Sequence, residues 1–341
     1  MPHRTSTSPA PGFSPSGFPQ APAAATPLES EPVFDPAVHL AIGAVPATRT
    51  LSDLGYPADR VDAAVGPVAV SEPFPLLTPA GVAALRQVAT ALEGSAIGGH
   101  DDRAPRYVPG GGYRSGFLRD LCSDPTLLGH LSEIAQVPLR AHPLVDCQAY
   151  VNYAPRDLAL AVDTWHADSV AVDIVVMLSD PQLLRGGRFE WFEGTDDEAA
   201  HLLGTTRELL HLGGPADLPA DRVRWADFPA AGWAVLQQGT HVVHRAARVE
   251  EAAERTTLVL GFAPADPLVD DATRVEYVAT WPHDGLAADL ARRAADLAAR
   301  RLDAVAAGLD PDASADACAQ ALEDAAAEVV RTAAALRAAA G

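Results

Sequence analysis

Four residues scattered along the chain have types and spacing that could do chemistry: His166 and Asp168 in the run Trp165-His-Ala-Asp, His244, and Arg255 followed by Thr256 and Thr257. Two imidazoles and one carboxylate can occupy one face of an octahedral metal ion and leave the opposite face open, the ligand set suited to oxygen chemistry at Fe(II). His166 and Asp168 are separated by a single residue, so on extended backbone both side chains project to the same side. They stand at the edge of an apolar run, Ala171 to Leu178, with Trp165 ahead of them as a bulky wall. His244 follows His166 by 78 residues, and Arg255 follows His244 by 11.

Two histidines compete for the third metal position. His241 and His244 lie three apart, so on a strand they face opposite ways and only one points inward. Arg255 opens Arg-Thr-Thr-Leu-Val-Leu-Gly-Phe, a strand with at least one buried face. A guanidinium there needs a partner, and a carboxylate held in fork geometry is the natural one. Thr257, two residues on, shares its side and can offer its hydroxyl to the same carboxylate.

Taken in order, His-x-Asp, His and Arg-x-Thr resemble the Fe(II)/2-oxoglutarate-dependent dioxygenases. The run Gln148-Ala-Tyr-Val-Asn-Tyr153, followed after 11 residues by Trp165-His-Ala-Asp168, resembles the phytanoyl-CoA/ectoine hydroxylase branch of that family. The resemblance spans residues 74–264. It implies that His166, Asp168 and His244 hold Fe(II), with His244 preferred over His241 for its distance to Arg255, and that 2-oxoglutarate and O2 are cosubstrates. Arg255 would grip the far carboxylate of 2-oxoglutarate with Thr257 beside it, and Asn152 would help to hold it. Gln148 and Tyr150 would contact substrate, the spacing of four placing Gln148 and Asn152 on one strand face. The implied reaction oxidises a small-molecule metabolite, by hydroxylation, with release of succinate and CO2. Halogenases of the family carry Gly or Ala at the position of Asp168, so the acid favours hydroxylation, desaturation or cyclisation over halogenation.

Elements must exist to position these groups. From Val145 to Phe262 the chain reads as short strands: Val145–Tyr153, Ala171–Leu178, Gly-Gly-Arg-Phe-Glu-Trp-Phe ending at Phe192, Trp233–Leu236, His241–Arg245 and Thr256–Phe262. Short strands with Gly and Pro turns point to a mainly β, double-sheet jelly roll of the cupin type, a double-stranded β-helix with flanking α-helices. The segment Thr195–Phe228 interrupts it with a helix and a Pro-rich loop. Upstream, Thr78-Pro79 and Asp124-Pro125 read as helix starts, the first helix burying Val82, Leu85, Ala89 and Leu92 and stopping at Gly94, the second burying Leu128, Leu131 and Ala135. Residues 106–116 are too glycine-rich for regular structure, and are either a surface loop or a lid.

Three regions follow: a flexible Pro/Ser/Ala-rich tail over 1–32, a dioxygenase domain over 33–282 with its barrel at about 145–264, and a C-terminal helical hairpin over 283–341. In the hairpin Leu286, Leu290 and Leu297 share one face, and Leu322, Val329 and Leu336 repeat every seven residues on the second helix. That seam packs against the barrel or joins two copies in a homodimer.

Composition excludes several partners. The chain of 341 residues has 25 Lys and Arg against 45 Asp and Glu, a net charge of −20, which repels nucleic acid and anionic membranes. Three cysteines without pairing or zinc spacing, no apolar leader and no membrane-length apolar stretch fit a cytoplasmic protein acting on a small molecule. Two rivals come from other classes. A non-catalytic cupin-like protein binding metal or a small ligand has no need of Arg255 and Thr257, and a zinc hydrolase needs a general base beside the metal, for which no His-Glu-x-x-His motif is present.

Overall fold

The computed structural model describes residues 18–98 and 103–340. Two antiparallel sheets dominate it. The larger is built from β1 (Thr48–Thr50), β2 (Val68–Ser71), β3 (Phe74–Pro75), β4 (Tyr107–Val108), β5 (Leu139–Ala141), β6 (Ala149–Tyr153), β8 (Val172–Met177), β11 (Trp233–Gln237) and β13 (Thr256–Pro264). Its order is β1-β2-β11-β8-β13-β6-β4, with β3 also on β11 and β5 also on β13. The smaller sheet comprises β7 (Ala161–His166), β9 (Phe189–Phe192), β10 (Val223–Trp225) and β12 (His244–Arg248), in the order β10-β9-β12-β7.

The apolar runs read from the sequence are continuous because the large sheet is covered on both faces. Ile174, Val176, Leu258 and Leu260 pack into a core with three helices, α1 (Pro79–Leu92), α2 (Gly116–Cys122) and α3 (Pro125–Ala135). Val175, Met177, Val235 and Val259 point the other way, onto Phe189 and Trp191 of the small sheet. Polar residues among the latter set are therefore enclosed between the sheets, and that interior holds the candidate site.

Helix starts follow local chemistry. Thr78 accepts from the Gly81 backbone N–H at 3.0 Å, and Asp124 accepts from those of Thr126 and Leu127 at 2.9 and 3.0 Å. The stripes are displaced slightly from expectation: Val82 and Leu128 are only partly buried, while Ala84, Val88, Leu127 and Ile134 are fully so. The sheet also begins earlier than residue 145, because β1 to β5 extend its edges. Helix α4 (Asp196–Leu203) and strand β10 both fall within the expected interruption at 195–228.

Several expectations need correction. Val145–Gln148 is a helical turn, so only Ala149–Tyr153 is strand. His241 lies in the turn before β12 rather than on it. The 106–116 segment is ordered by pairing and packing: β4 pairs with β6, Gly111–Arg114 form a helical turn, and a Cβ on Gly111 would press on Leu118 and the Ala149 carbonyl. Within the expected tail, residues 18–32 make specific contacts. Phe18 packs edge-on against Tyr113 at 5.8 Å, Leu28 joins the main core, and Glu31 accepts from Ser115 and from the Gly116 N–H at 2.7 Å. Residues 1–17 of that tail lie outside the described residues.

The C-terminal hairpin consists of α5 (Leu286–Gly308) and α6 (Ala315–Ala340). Leu286, Leu290 and Leu297 are buried as expected, but Leu322 and Val329 are exposed. The packed positions of α6 are Ala325, Glu328, Thr332 and Ala335, small or polar residues that let the helices approach. There the fully buried Arg293 guanidinium bridges Asp271, which precedes the hairpin, and Glu328 of α6. Among the described residues no helix is long and apolar enough to cross a membrane, and no cysteine is in a disulfide.

Candidate metal centre

β7 and β12 are neighbours in the small sheet, and their register places His166 directly opposite His244. The imidazole rings lie 4.1 Å apart between centroids. Asp168 sits just past β7, where its backbone N–H donates to the Gly239 carbonyl at 2.7 Å. His166 Nε2 is 3.2 Å from Asp168 Oδ1, and His244 Nε2 is 3.4 Å from Asp168 Oδ2. Adjacent ligands on an octahedral ion with bonds of about 2.1 Å stand about 3 Å apart, so these spacings suit one cation. Among the described residues this is the one group of three or more His, Cys, Asp or Glu side chains whose donor atoms all lie within 4.8 Å of one another.

The other nitrogens of both rings are already committed. His166 Nδ1 faces the Thr164 carbonyl at 2.6 Å and His244 Nδ1 faces the Val242 carbonyl at 2.9 Å. Nδ1–H donation to these carbonyls leaves each Nε2 lone pair directed at the shared space, the tautomer a metal ligand needs. Burial, helped by His166, pulls the His244 proton affinity down to about 4, so the ring is neutral at pH 7. Burial of Asp168 opposes its ionisation, but His244, His166 and Arg103 outweigh it and hold the carboxyl well below the usual carboxylate range.

Residues not singled out from the sequence complete the surroundings. Asp173 is fully buried in β8, and burial together with the Asp168 charge keeps it protonated and hydrogen-bonded to Asp168. The Gln237 amide nitrogen lies 3.0 Å from His244 Nε2, 3.1 Å from Asp173 Oδ1 and 3.5 Å from Asp168 Oδ2. A positively polarised NH2 group thus stands among the donors that would hold a cation, and must turn aside as one arrives. Gly239 is required here, since a Cβ would collide with the Asp168 and Asp173 carboxylates. Arg103 forks onto Asp163 at 2.8 and 3.2 Å and reaches within 3.7 Å of Asp168. The one local signal for Asp173 was an acid inside an otherwise apolar strand; Arg103 and Gln237 carried none.

Asn152, Tyr150, Thr257 and Arg255 share the interior face of the large sheet, where Thr257 pairs with Asn152. Asn152 Oδ1 is buried without a hydrogen-bond partner. Arg255 is 1% exposed, donates to the Gly187 carbonyl at 2.7 Å and lies 3.4 Å from the Thr257 hydroxyl. Among the described residues no carboxylate pairs with it, and burial pulls its proton affinity down to about 10. Gln148 is not brought to this group: it ends the helical turn and its side chain lies by Gly112. His241 is also apart, its ring packed edge-on against Tyr56 at 5.5 Å and its Nδ1 3.1 Å from the Thr240 hydroxyl.

A cavity of about 90 Å³ adjoins Asp168, lined in part by Tyr150, Asn152, Tyr107 and Trp281. On its wall His283 links Asp146 at 3.1 Å to the Tyr107 hydroxyl at 3.0 Å. Tyr107 comes from the glycine-rich segment and His283 from the stretch before α5, so chain preceding β6 and chain following β13 together close this cavity.

No family model and no curated protein matches the sequence. Solved structures similar in part include the non-heme alpha ketoglutarate dependent epimerase SnoN from nogalamycin biosynthesis, at 17% identity and a TM-score of 0.43 over 63% of this chain and 84% of that one. HygX from Streptomyces hygroscopicus with nickel, 2-oxoglutarate and hygromycin B bound has 17% identity and a TM-score of 0.41 over 64% and 88%. EvdO2 from Micromonospora carbonacea var. aurantiaca complexed with 2-oxoglutarate has 15% identity and a TM-score of 0.39 over 65% and 94%. At these values the likeness is partial.

Proposed function

We propose that the chain is an Fe(II)- and 2-oxoglutarate-dependent dioxygenase that hydroxylates a small-molecule metabolite, with the two sheets forming a double-stranded β-helix. The observation that carries this reading is the convergence of His166 Nε2, His244 Nε2 and the Asp168 carboxylate, with both Nδ1 atoms tied to backbone carbonyls. Iron bound there with 2-oxoglutarate and O2 would supply the oxidising chemistry, with succinate and CO2 as co-products.

The protein's own residues bind, orient and exclude water. Asp168 is ionised and His244 neutral at pH 7, the protonation states a divalent cation requires. Arg255 presents a buried cation with no carboxylate partner among the described residues, and a dicarboxylate such as 2-oxoglutarate would supply one in fork geometry. Thr257 and Asn152, on the same sheet face, add polar groups beside it. Burial and the nearby Asp168 charge keep the Tyr150 hydroxyl protonated, so it can donate to substrate at the cavity wall. Succinate released from 2-oxoglutarate, with iron, ascorbate and a panel of candidate metabolites, tests the reading. Stoichiometric iron binding with no succinate for any metabolite or in the uncoupled reaction would favour the non-catalytic, cupin-like metal-binding alternative.

A further inference from the structure

A chain of net charge −20 should repel small anions, yet one of its cavities is furnished with arginines. It has a volume of about 450 Å³ and lies between the Thr240-His241 turn and the segment around Ala272–Tyr277. Arg60, Arg207, Arg274 and Arg331 all reach it. Three of them have carboxylates within 4.0 Å, and the one beside Arg207 is an exposed surface pair. Arg60 contacts Asp196 at 2.8 Å and Asp197 at 3.2 Å, Arg207 contacts Glu208 at 3.4 Å, and Arg331 contacts Glu328 at 2.9 Å and Glu276 at 4.0 Å. The remaining acid on the wall, Asp270, accepts from the Ala272 N–H.

Among the described residues Arg274 has no such partner: no carboxylate pairs with it, and its Nε is buried without a hydrogen bond. Asp196, Glu208 and Asp168 act on it only at longer range, while burial first and Arg207 second destabilise its charge. His241, on the same cavity, responds to the same field. Burial is the main reason its proton affinity falls to about 4, and Arg60, Arg207 and Arg274 push it down against Asp196.

We infer that this cavity is an anion-binding site in which Arg274 and Arg207 receive the carboxylate or phosphate of a small molecule. A planar guanidinium matches both oxyanions in bidentate geometry, and an anion would supply the half-buried Arg274 with the counter-charge that no described residue gives it. The cavity shares Tyr277 with the smaller one beside Asp168. The bound group is therefore either the anionic end of a molecule that reaches the metal centre or a separate anion held next to it. The arginines alone carry the inference, which does not depend on iron or 2-oxoglutarate chemistry.

Calorimetric titration of the metal-free, full-length protein with inorganic phosphate and with malonate, in a buffer of low ionic strength, tests it. Saturable binding is expected, weakened roughly tenfold or more in Arg274→Met and in Arg207→Met. Arg188→Met, which removes an exposed arginine stacked on Trp225, should bind as the wild type does. No saturable binding by the wild type, or wild-type affinity in Arg274→Met, overturns the inference. If Arg274→Met fails to fold, Arg207→Met decides by the same criterion. In the iron-loaded protein, phosphate that competes with a metabolite stimulating succinate release identifies the site with that metabolite's anionic end. Phosphate that alters turnover without competing identifies a separate anion. A protein that binds phosphate through Arg274 but never turns over 2-oxoglutarate would overturn the oxygenase reading and leave the anion site standing.

Discussion

Replacing Arg255 with methionine should separate a cosubstrate-binding arginine from a structural one. Burial lowers the proton affinity of this guanidinium from the ordinary 12.5 to about 10. At about 1.36 kcal/mol per pH unit, keeping it charged costs the folded state roughly 3 kcal/mol. Because the folded value lies below the unfolded one, the cost is fully present at neutral pH and fades only as pH rises through 10 and beyond. Arg255→Met removes that cost and leaves the Gly187 carbonyl without its donor, a loss of about 1–3 kcal/mol. The two nearly cancel, so without 2-oxoglutarate the variant should unfold in urea with unchanged stability or a gain of up to about 2 kcal/mol. Its affinity for 2-oxoglutarate should fall roughly ten- to a hundredfold, the worth of a charge-assisted bidentate pair. A variant destabilised by about 3 kcal/mol or more would mean that the fold itself pairs this charge. That result, or an unchanged affinity for 2-oxoglutarate, refutes the assignment.

His166→Ala, Asp168→Ala and His244→Ala should each lose bound iron, measured by elemental analysis, while His241→Ala keeps it; the reverse for the two later histidines would reassign the third ligand. Metal-free protein should lose stability between pH 6.5 and 4, because burial holds His142 and His241 neutral down to about 4. Their folded proton affinities lie below the unfolded one, so stability present above 6.5 is lost as pH falls through this window, at up to about 1.4 kcal/mol per pH unit for each ring. His142→Gln should flatten that slope in urea titrations, and an equally steep slope in the variant would contradict it. Arg293→Met strands Asp271 as a buried carboxylate, leaves Glu328 with Arg331 alone, and should cost about 3–5 kcal/mol by chemical denaturation. Deleting 284–341 should cause aggregation on size-exclusion chromatography by uncovering Leu144, Val170 and Val275. Deleting 1–32 should lower the unfolding midpoint, since Glu31 and Leu28 are removed with the tail.

Much of the fold was legible because its signals are local. Thr78-Pro79 and Asp124-Pro125 start helices through hydrogen bonds spanning two or three residues. The apolar runs at 172–177 and 256–264 form strands whatever lies beyond them. The order His-x-Asp, His, Arg-x-Thr marked residues that the fold places on or at the ends of β7, β12 and β13. Other readings failed where local pattern was ambiguous. Alternation over 145–153 concealed a helical turn, which removed Gln148 from the strand face carrying Tyr150 and Asn152. The seven-residue repeat on α6 pointed to Leu322 and Val329, but α6 turns Ala325, Glu328, Thr332 and Ala335 inward, with Glu328 on Arg293, and leaves those residues exposed.

What only the tertiary structure decided is how the buried polar groups are matched. Arg103 meets Asp163 across 60 residues, Gln237 meets Asp173 across 64, and His283 meets Asp146 across 137. Sequence spacing fixes which side chains share a face of one element, because a strand or helix repeats its geometry over a few residues. It does not fix which faces are pressed together, or which buried charge is left without a partner. Those follow from packing the two sheets and the hairpin into one volume, and among the described residues they set the buried Arg255 and the half-buried Arg274 apart from the arginines paired with carboxylates.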